Sequence, residues 1–196
     1  MLLHKFKQGT DEWHAKRVEF PFTSTASTAI ASSGKGIETH VHEKMLIKHG
    51  LEERREVWTE AIGRGRFLEP DGIQEYEIVT GVLVEAVGFI TNKKYLLAGD
   101  SPDGLVGENG MIEAKCLNEK KFLKFKKDKK VPSGHMWQCQ WHLLIGEREW
   151  CDYFIYHPDH GIEVLRIYPN LEKQIKLQAG LKYAQALWFK AEKKYE

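Results

Sequence analysis

The stretch GDSPDGLVGENGMIEAKC, residues 99–116, constrains this chain more than any other. Its Pro, Gly and Asn-Gly signals predict a turn, a short strand, a second turn and then an E-x-K strand. Alternation along that strand puts Glu113 and Lys115 on one face and Ala114 on the other. Asp103 joins them only in some registers. With Asn109-Gly110 as a two-residue hairpin loop, Glu108 faces Met111 and Asp103 falls opposite Cys116, on the face away from Glu113. A one-residue bulge around Pro102–Gly104 would move Asp103 opposite Lys115 and onto the Glu113 face, and Pro and Gly are residues that mark bulges. Convergence of the acids therefore predicts an irregularity there.

Two carboxylates beside an ammonium suit a hard cation such as Mg²⁺, which keeps several waters and takes few protein ligands. A neighbouring lysine could orient or deprotonate one of those waters, an inventory for metal-assisted phosphodiester hydrolysis. The same residues also suit an ordinary surface hairpin, with SPDG as turn chemistry and Glu and Lys as a solvated face. The rest of the chain has to separate these readings.

At 196 residues the chain is long enough for a sizeable core and is read as one domain, 1–196. A net charge of +1 gives no bulk attraction to nucleic acid or membrane, so a binding patch must be local. EKKFLKFKKDKK supplies one, with seven lysines between 120 and 130 around Phe122, Leu123 and Phe125. Three cysteines, Cys116, Cys139 and Cys151, lack C-x-x-C spacing, which argues against a disulfide framework or a zinc ribbon. No run of 18 apolar residues occurs, so no membrane role is expected, and a soluble protein of the cytoplasm is.

In chain order, GTDEWHAKRV (9–18) predicts a short helix capped by Thr10 or Asp11 and stopped by Pro21. TSTASTAIASS suits a helix start whose free N–H groups could accept an anion near Arg17 and Ser24. SSGKG (32–36) is read as a loop and 37–50 as a helix, whose histidines find no partners at metal spacing. Residues 59–80 are helical, with a break or fresh start expected at Glu69-Pro70. VLVEAVGFI (82–90) and KKYLLAGDS (93–101) are read as strands, followed by the E-x-K strand. Helices are expected over 119–130, capped by Asn118, and 133–147, capped by Ser133; a strand pair then turns at 157–161, where His157, Asp159 and His160 are read as turn chemistry. A long C-terminal helix covers 170–195. The fold class is α/β, a central mixed β-sheet of about five strands flanked by helices.

With these residues in place, the chain resembles the lambda-type phage exonucleases, the viral recombinase branch of the restriction-endonuclease-like PD-(D/E)-x-K nucleases. QGTDEWHAKR (8–17), GRFLEP (65–70), SPDG (101–104), EAK (113–115) and MWQCQW (136–141) resemble that family's motifs in order. The resemblance implies an exonuclease dependent on Mg²⁺, two ions with Mn²⁺ able to substitute, that digests the 5′-ended strand of linear duplex DNA and leaves a 3′ strand for annealing. It implies that Asp103, Glu113 and the Ala114 carbonyl ligate metal, with Asp103 bridging two ions, and that Glu69 serves the second ion. It gives Lys115 and Gln138 the nucleophilic water, Arg17 and Ser24 the 5′-phosphate, and Ile62 the parting of strands. It also implies a ring-shaped homotrimer and a single-strand annealing protein as partner, in a bacterial host as a phage or prophage product.

The sequence departs from the family in two places. SSGKG offers only Lys35, at shifted spacing, where a further arginine is expected, and VEFPFTST replaces an R-x-G-x-x-T-A-S run. Two other readings stay open: an endonuclease of the same fold, and a DNA-end adaptor without catalysis. Retention of Glu69, Asp103, Glu113 and Lys115 speaks against the adaptor. Three cysteines cannot supply the four ligands of the iron-sulfur relatives.

Overall fold

The computed structural model describes residues 1–53 and 58–195. Two sheets carry the fold. A three-stranded antiparallel sheet in the order β1-β2-β3 joins Leu2–His4, Phe89–Thr91 and Gly99–Asp100. A four-stranded mixed sheet in the order β4-β5-β6-β7 joins Gly104–Val106, Gly110–Cys116, Trp150–His157 and Gly161–Ile167. Its one parallel pair, β5 with β6, is bridged by two helices, α5 (Glu119–Asp128) and α6 (Ser133–Gly146). Parallel neighbours require such a crossover.

The α/β class stands, but among the described residues the expected single sheet of about five strands is seven strands in two sheets. Three-residue β1 is too short to show alternation, and the predicted strands 82–90 and 93–101 contract to Phe89–Thr91 and Gly99–Asp100. Within 82–88 only Glu85 pairs with a strand, bridging to Leu105. Residues 93–97 instead form a turn in which Tyr95 N–H donates to the Asn92 carbonyl and Leu97 takes φ 59°.

The remaining helices are α1 (Asp11–Glu19), a 3₁₀ turn at Ser24–Ala26 leading into α2 (Ser27–Ser32), α3 (Lys35–Lys48), α4 (Glu60–Thr80) and α7 (Leu171–Glu192). Thr10, Thr59, Asn118 and Asn170 cap their helices through side-chain oxygens. Ser133 is the first residue of α6 and Pro132 its cap, which corrects the expected serine cap. The SSGKG loop is shorter than expected, because α3 begins at Lys35 directly after Ser33 turns left-handed at φ 50°.

Pro70 does not break α4, which runs unbroken through Glu69. The lost hydrogen bond and ring clash cost about 3 kcal/mol, and packing of the following turns offsets it. Gly72 lies against Tyr156 and Phe154 of β6, and Tyr76 is fully buried with its hydroxyl donating to Asp152 at 2.7 Å. Glu69 is therefore a mid-helix side chain, not one of a first turn.

The two faces of β5 enter different cores. Ile112 and Ala114 pack with Tyr76, Val106 and Phe154 under α4. Met111 joins the larger core of Tyr153, Leu144, Ile145 and Trp141, into which α2, α3 and α7 also pack. Glu113 lies on that second face, toward α6.

The hairpin register replaces the expected bulge. Val106 pairs with Gly110, Leu105 with Met111 and Gly104 with Ile112, so the connection is three residues, Gly107–Asn109, with Gly107 at φ 53°. The Asn109 carbonyl is engaged by the N–H groups of Glu149 and Trp150, which removes it from a two-residue turn. Continued by one step, this register puts Asp103 across from Glu113 on the same face. No bulge is needed; the chain merely bends at Asp103, where β4 begins.

Candidate active site

Asp103 lies in the short link between β3 of one sheet and β4 of the other. Beyond Gly104 the ladder lacks a strand carbonyl for Ala114, and the Asp103 carboxylate takes that place, accepting from Ala114 N–H at 2.7 Å. A strand residue points its N–H and C=O toward the same neighbour, so the Ala114 carbonyl opens on the same gap. The opening motif holds this link from the other side. Gln8 donates to the Pro102 and Val87 carbonyls, at 2.9 and 3.0 Å, and Trp13 Nε1 donates to Ser101 Oγ at 2.8 Å.

Glu113 is buried, at 3% exposure. Its Oε1 pairs with the Lys115 ammonium, and its Oε2 accepts from His142 Nε2 at 2.7 Å. The other ring nitrogen of His142 donates to both oxygens of Asp100, 2.8 Å away. Burial works against a charge on His142, but the Asp100 carboxylate and the bonds to Asp100 and Glu113 outweigh it and hold the ring as imidazolium. Burial likewise raises the Glu113 carboxyl, yet Lys115 and His142 bring it down to about 2.

Asp103 has the opposite fate. Burial and the Glu113 charge push it up to about 7, against Lys115. Glu69 of α4 faces the same group and is also raised, by burial first and by Glu113. Asp100, Asp103, Glu113 and Glu69 thus stand against two cations, Lys115 and His142, and full ionisation leaves two negative charges in excess.

The Glu69 and Lys115 side of this group opens on a cleft of ≈ 950 Å³ between α4, the end of β5 and the α5–α6 segment, whose lining does not include Asp103 or Glu113. Glu69, Ala114 and Lys115 line it, with Ile62 at the α4 end and Arg64, Arg66, Lys121, Lys124 and Lys130 around it. The lysine-rich helix divides its charge: Lys126 and Lys129 pair with Glu163, Lys124 pairs with Asp128 at 3.1 Å, and Lys121 and Lys124 line the cleft. The His157–His160 turn makes local contacts, His160 with Glu119 and Phe122, as its composition predicts.

A second, shallow pocket of ≈ 270 Å³ is lined by Ser24, Thr25, Ser27, Thr28, Gly134, His135 and Gln138. Arg17 stacks on Trp13 and donates to Thr23 and Thr25 at its margin, at 3.2 and 3.4 Å. Lys35 is exposed at the start of α3 and does not line the pocket. Gln138 lines this pocket and not the cleft, and its amide has no partner among the described residues. His135 lines both, with Nδ1 2.9 Å from the Tyr153 hydroxyl. Burial and the Lys115 charge lower it to about 4, so it is a neutral ring at pH 7. The buried glutamine of the helix is Gln140, which accepts from Asn170 N–H and donates to the Tyr168 carbonyl, at 2.9 Å each, and so anchors α7.

Asp100, His142 and His135 also belong to this centre, beyond the residues expected from the sequence. His142 carried a signal, four residues after Gln138 on one helix face; Asp100 carried none apart from its closeness to SPDG. Among the described residues no three His, Cys, Asp or Glu side chains converge as a metal cage. The set on hand is sparser, two or three carboxylates and a carbonyl, which is what Mg²⁺ with retained waters takes. The charge balance there fits a further cation: the Lys115 ammonium already meets Glu113 Oε1, yet burial and the Glu113 charge still raise both Asp103 and Glu69.

Residues 12–149 match the YqaJ-like viral recombinase domain. No curated protein matches the chain in sequence. The alkaline exonuclease LHK-Exo of Laribacter hongkongensis is similar in structure with a TM-score of 0.80 and 27% identity, over 95% of this chain and 98% of that one. Its complex with dAMP gives a TM-score of 0.81 at the same identity and coverage. A phage-related exonuclease from Haemophilus somnus 129PT, at 12% identity, shares the fold, with a TM-score of 0.69 over 89% of this chain and 96% of that one. Matched over most of its length, the chain belongs to the family of YqaJ-like viral recombinase domains.

Proposed function

We propose that this protein is a Mg²⁺-dependent exonuclease that enters linear duplex DNA at a 5′-phosphorylated end and digests the 5′-ended strand, leaving a 3′ single strand for recombination by annealing. The observation that carries this is the convergence of Asp103, Glu113 and Lys115 on one face, beside a cleft that Glu69 and Lys115 line together with Arg and Lys side chains. The alkaline exonuclease similar to this chain, crystallised with the mononucleotide dAMP, supports it. Residues 1–196 act as one exonuclease domain in this reading.

Asp103, Glu113, the Ala114 carbonyl and Glu69 would hold Mg²⁺, as one ion or two, with Mn²⁺ as a substitute. Bound there, the metal would offset charge on the scissile phosphate and acidify a water. Lys115 pairs with Glu113 and lies near Asp103, and both carboxylates raise its pKa while burial, the largest influence, lowers it. Engagement of both carboxylates elsewhere leaves burial in control, so the ammonium gives up its proton more readily and can take one from a water at Nζ. Arg64, Arg66, Lys121 and Lys124 hold the DNA backbone along the cleft, and Ile62, 36% exposed, is placed to wedge between strands. Arg17 and Ser24 hold the terminal 5′-phosphate, and the unpartnered Gln138 amide holds water or a phosphate oxygen between the two pockets. Lys35 does not line that pocket and is not assigned there.

Three copies closing as a ring around the duplex, inside the cell, and an annealing protein that receives the 3′ strand complete the proposal. No helix of the described residues is long and apolar enough to cross a membrane. The test is digestion of a linear duplex and a covalently closed circle with Mg²⁺, Ca²⁺ or EDTA. An exonuclease degrades only the linear DNA, and only with Mg²⁺. Cutting of the circle would favour the endonuclease reading, and no nucleotide release would favour the adaptor. Light scattering tests the trimer.

A further inference from the structure

We propose that His142 is a positioning residue for Glu113: gripped between Asp100 and Glu113, it fixes one oxygen of the Glu113 carboxylate and leaves the other turned toward a divalent cation. This rests on the metal reading of the site given above. His142 and Asp100 are both fully buried. Nδ1 lies 2.8 Å from each Asp100 oxygen and Nε2 lies 2.7 Å from Glu113 Oε2. Each ring nitrogen therefore meets an acceptor, and both must donate.

Packing alone gives no reason for this arrangement. Three desolvated ionisable groups stabilise a core no better, and often worse, than apolar side chains of the same volume. What the arrangement adds is direction. Glu113 has three side-chain torsions, and without a donor on Oε2 its carboxylate could rotate away from the cleft. With that donor, Oε1 stays on the side of Lys115, whose ammonium pairs with it, and of Asp103.

The bracket also sets the spacing of the two acids. Asp100 ends β3, in the three-stranded sheet, and Asp103 follows three residues later in the link to the other sheet. Asp103 grips Ala114 N–H on β5, while Asp100 grips Glu113 of the same strand through the His142 ring. Two crossing ties thus join one short segment to two successive residues of β5. Groups that orient a ligating side chain typically change metal affinity by 10–100-fold when removed.

The test compares two amides that mimic different nitrogens of the ring. In His142→Gln the amide reaches the position of Nε2 and still donates to Glu113; in His142→Asn it reaches that of Nδ1 and donates only to Asp100. Mn²⁺ binding to the DNA-free protein is read by electron paramagnetic resonance, with thermal unfolding measured alongside. His142→Gln, which keeps the donor to Glu113 and loses only the tie to Asp100, should bind at least about tenfold more tightly than His142→Asn. Equal affinities for the two amides overturn the proposal, whatever their unfolding temperatures. Should His142→Asn not fold, Asp100→Ala leaves the ring in place but unheld at Nδ1; an affinity within twofold of wild type then overturns the proposal, and a loss of threefold or more supports it. Absence of Mn²⁺ binding by wild type would instead overturn the metal reading on which the proposal stands.

Discussion

Asp103→Asn should stabilise this protein when no metal is present. The substitution keeps an oxygen to accept from Ala114 N–H and removes the charge that crowds Glu113 and Glu69. An unfolded chain ionises this carboxyl near its ordinary value of 3.8, whereas the folded protein holds its proton up to about 7. The folded state is therefore unpenalised below the lower value, loses stability progressively as pH rises toward the higher one, and is flat above it. At about 1.4 kcal/mol for each tenfold change in proton affinity the full cost approaches roughly 4 kcal/mol. Solvent screening of a side chain that keeps partial exposure reduces this to about 2 kcal/mol. Urea unfolding in EDTA at pH 4, 6 and 8 reads the difference. Asp103→Asn should match wild type near pH 4 and exceed it by about 2 kcal/mol at pH 8, equivalent to roughly 4–8 °C in Tm. Saturating Mg²⁺ should reverse the order, since a ligand at a hundred times its Kd adds about 2.7 kcal/mol to wild type alone. A pH-independent difference, or a variant less stable than wild type at pH 8 in EDTA, would refute the account of crowded carboxylates.

Lys115→Ala should keep its affinity for 5′-phosphorylated duplex ends in a gel-shift assay while digestion falls by roughly 10²–10⁴-fold; undiminished cleavage removes Lys115 from the mechanism. Arg17→Ala should cut the rate advantage of a 5′-phosphate over a 5′-hydroxyl end by about tenfold, the worth of one charge-assisted bond, and an unchanged ratio would sink the phosphate pocket. Gly180→Ala should lower stability by about 3 kcal/mol or more, because the added Cβ would fall 1.8 Å from the Ile30 carbonyl oxygen where α7 crosses α2; a melting temperature equal to wild type contradicts that packing.

Much of the fold was legible because local signals carried it. Thr10 and Asn118 announce their helices, and β6–β7 alternate over enough residues to fix both strands. What was not legible depended on partners distant in sequence. Pro70 looks like a helix break until Gly72 and Tyr76 are seen against β6. Asn109-Gly110 looks like a two-residue turn until its carbonyl is found bonded to Glu149 and Trp150, which shifts the register and brings Asp103 to Glu113 without a bulge. The E-x-K face itself followed from period-two geometry. The Asp100–His142 bracket did not, because two residues 42 apart meet only once α6 lies across the gap between the sheets.

The measurement that bears most directly on the proposed activity is the order of label release from a linear duplex carrying a 5′-phosphorylated strand labelled at either end. In Mg²⁺ the 5′-terminal label should leave first, as mononucleotide, with the 3′-terminal label of the same strand retained until the strand is consumed, and EDTA should stop both. Early release of the 3′ label, or release of either label in EDTA, would contradict the account.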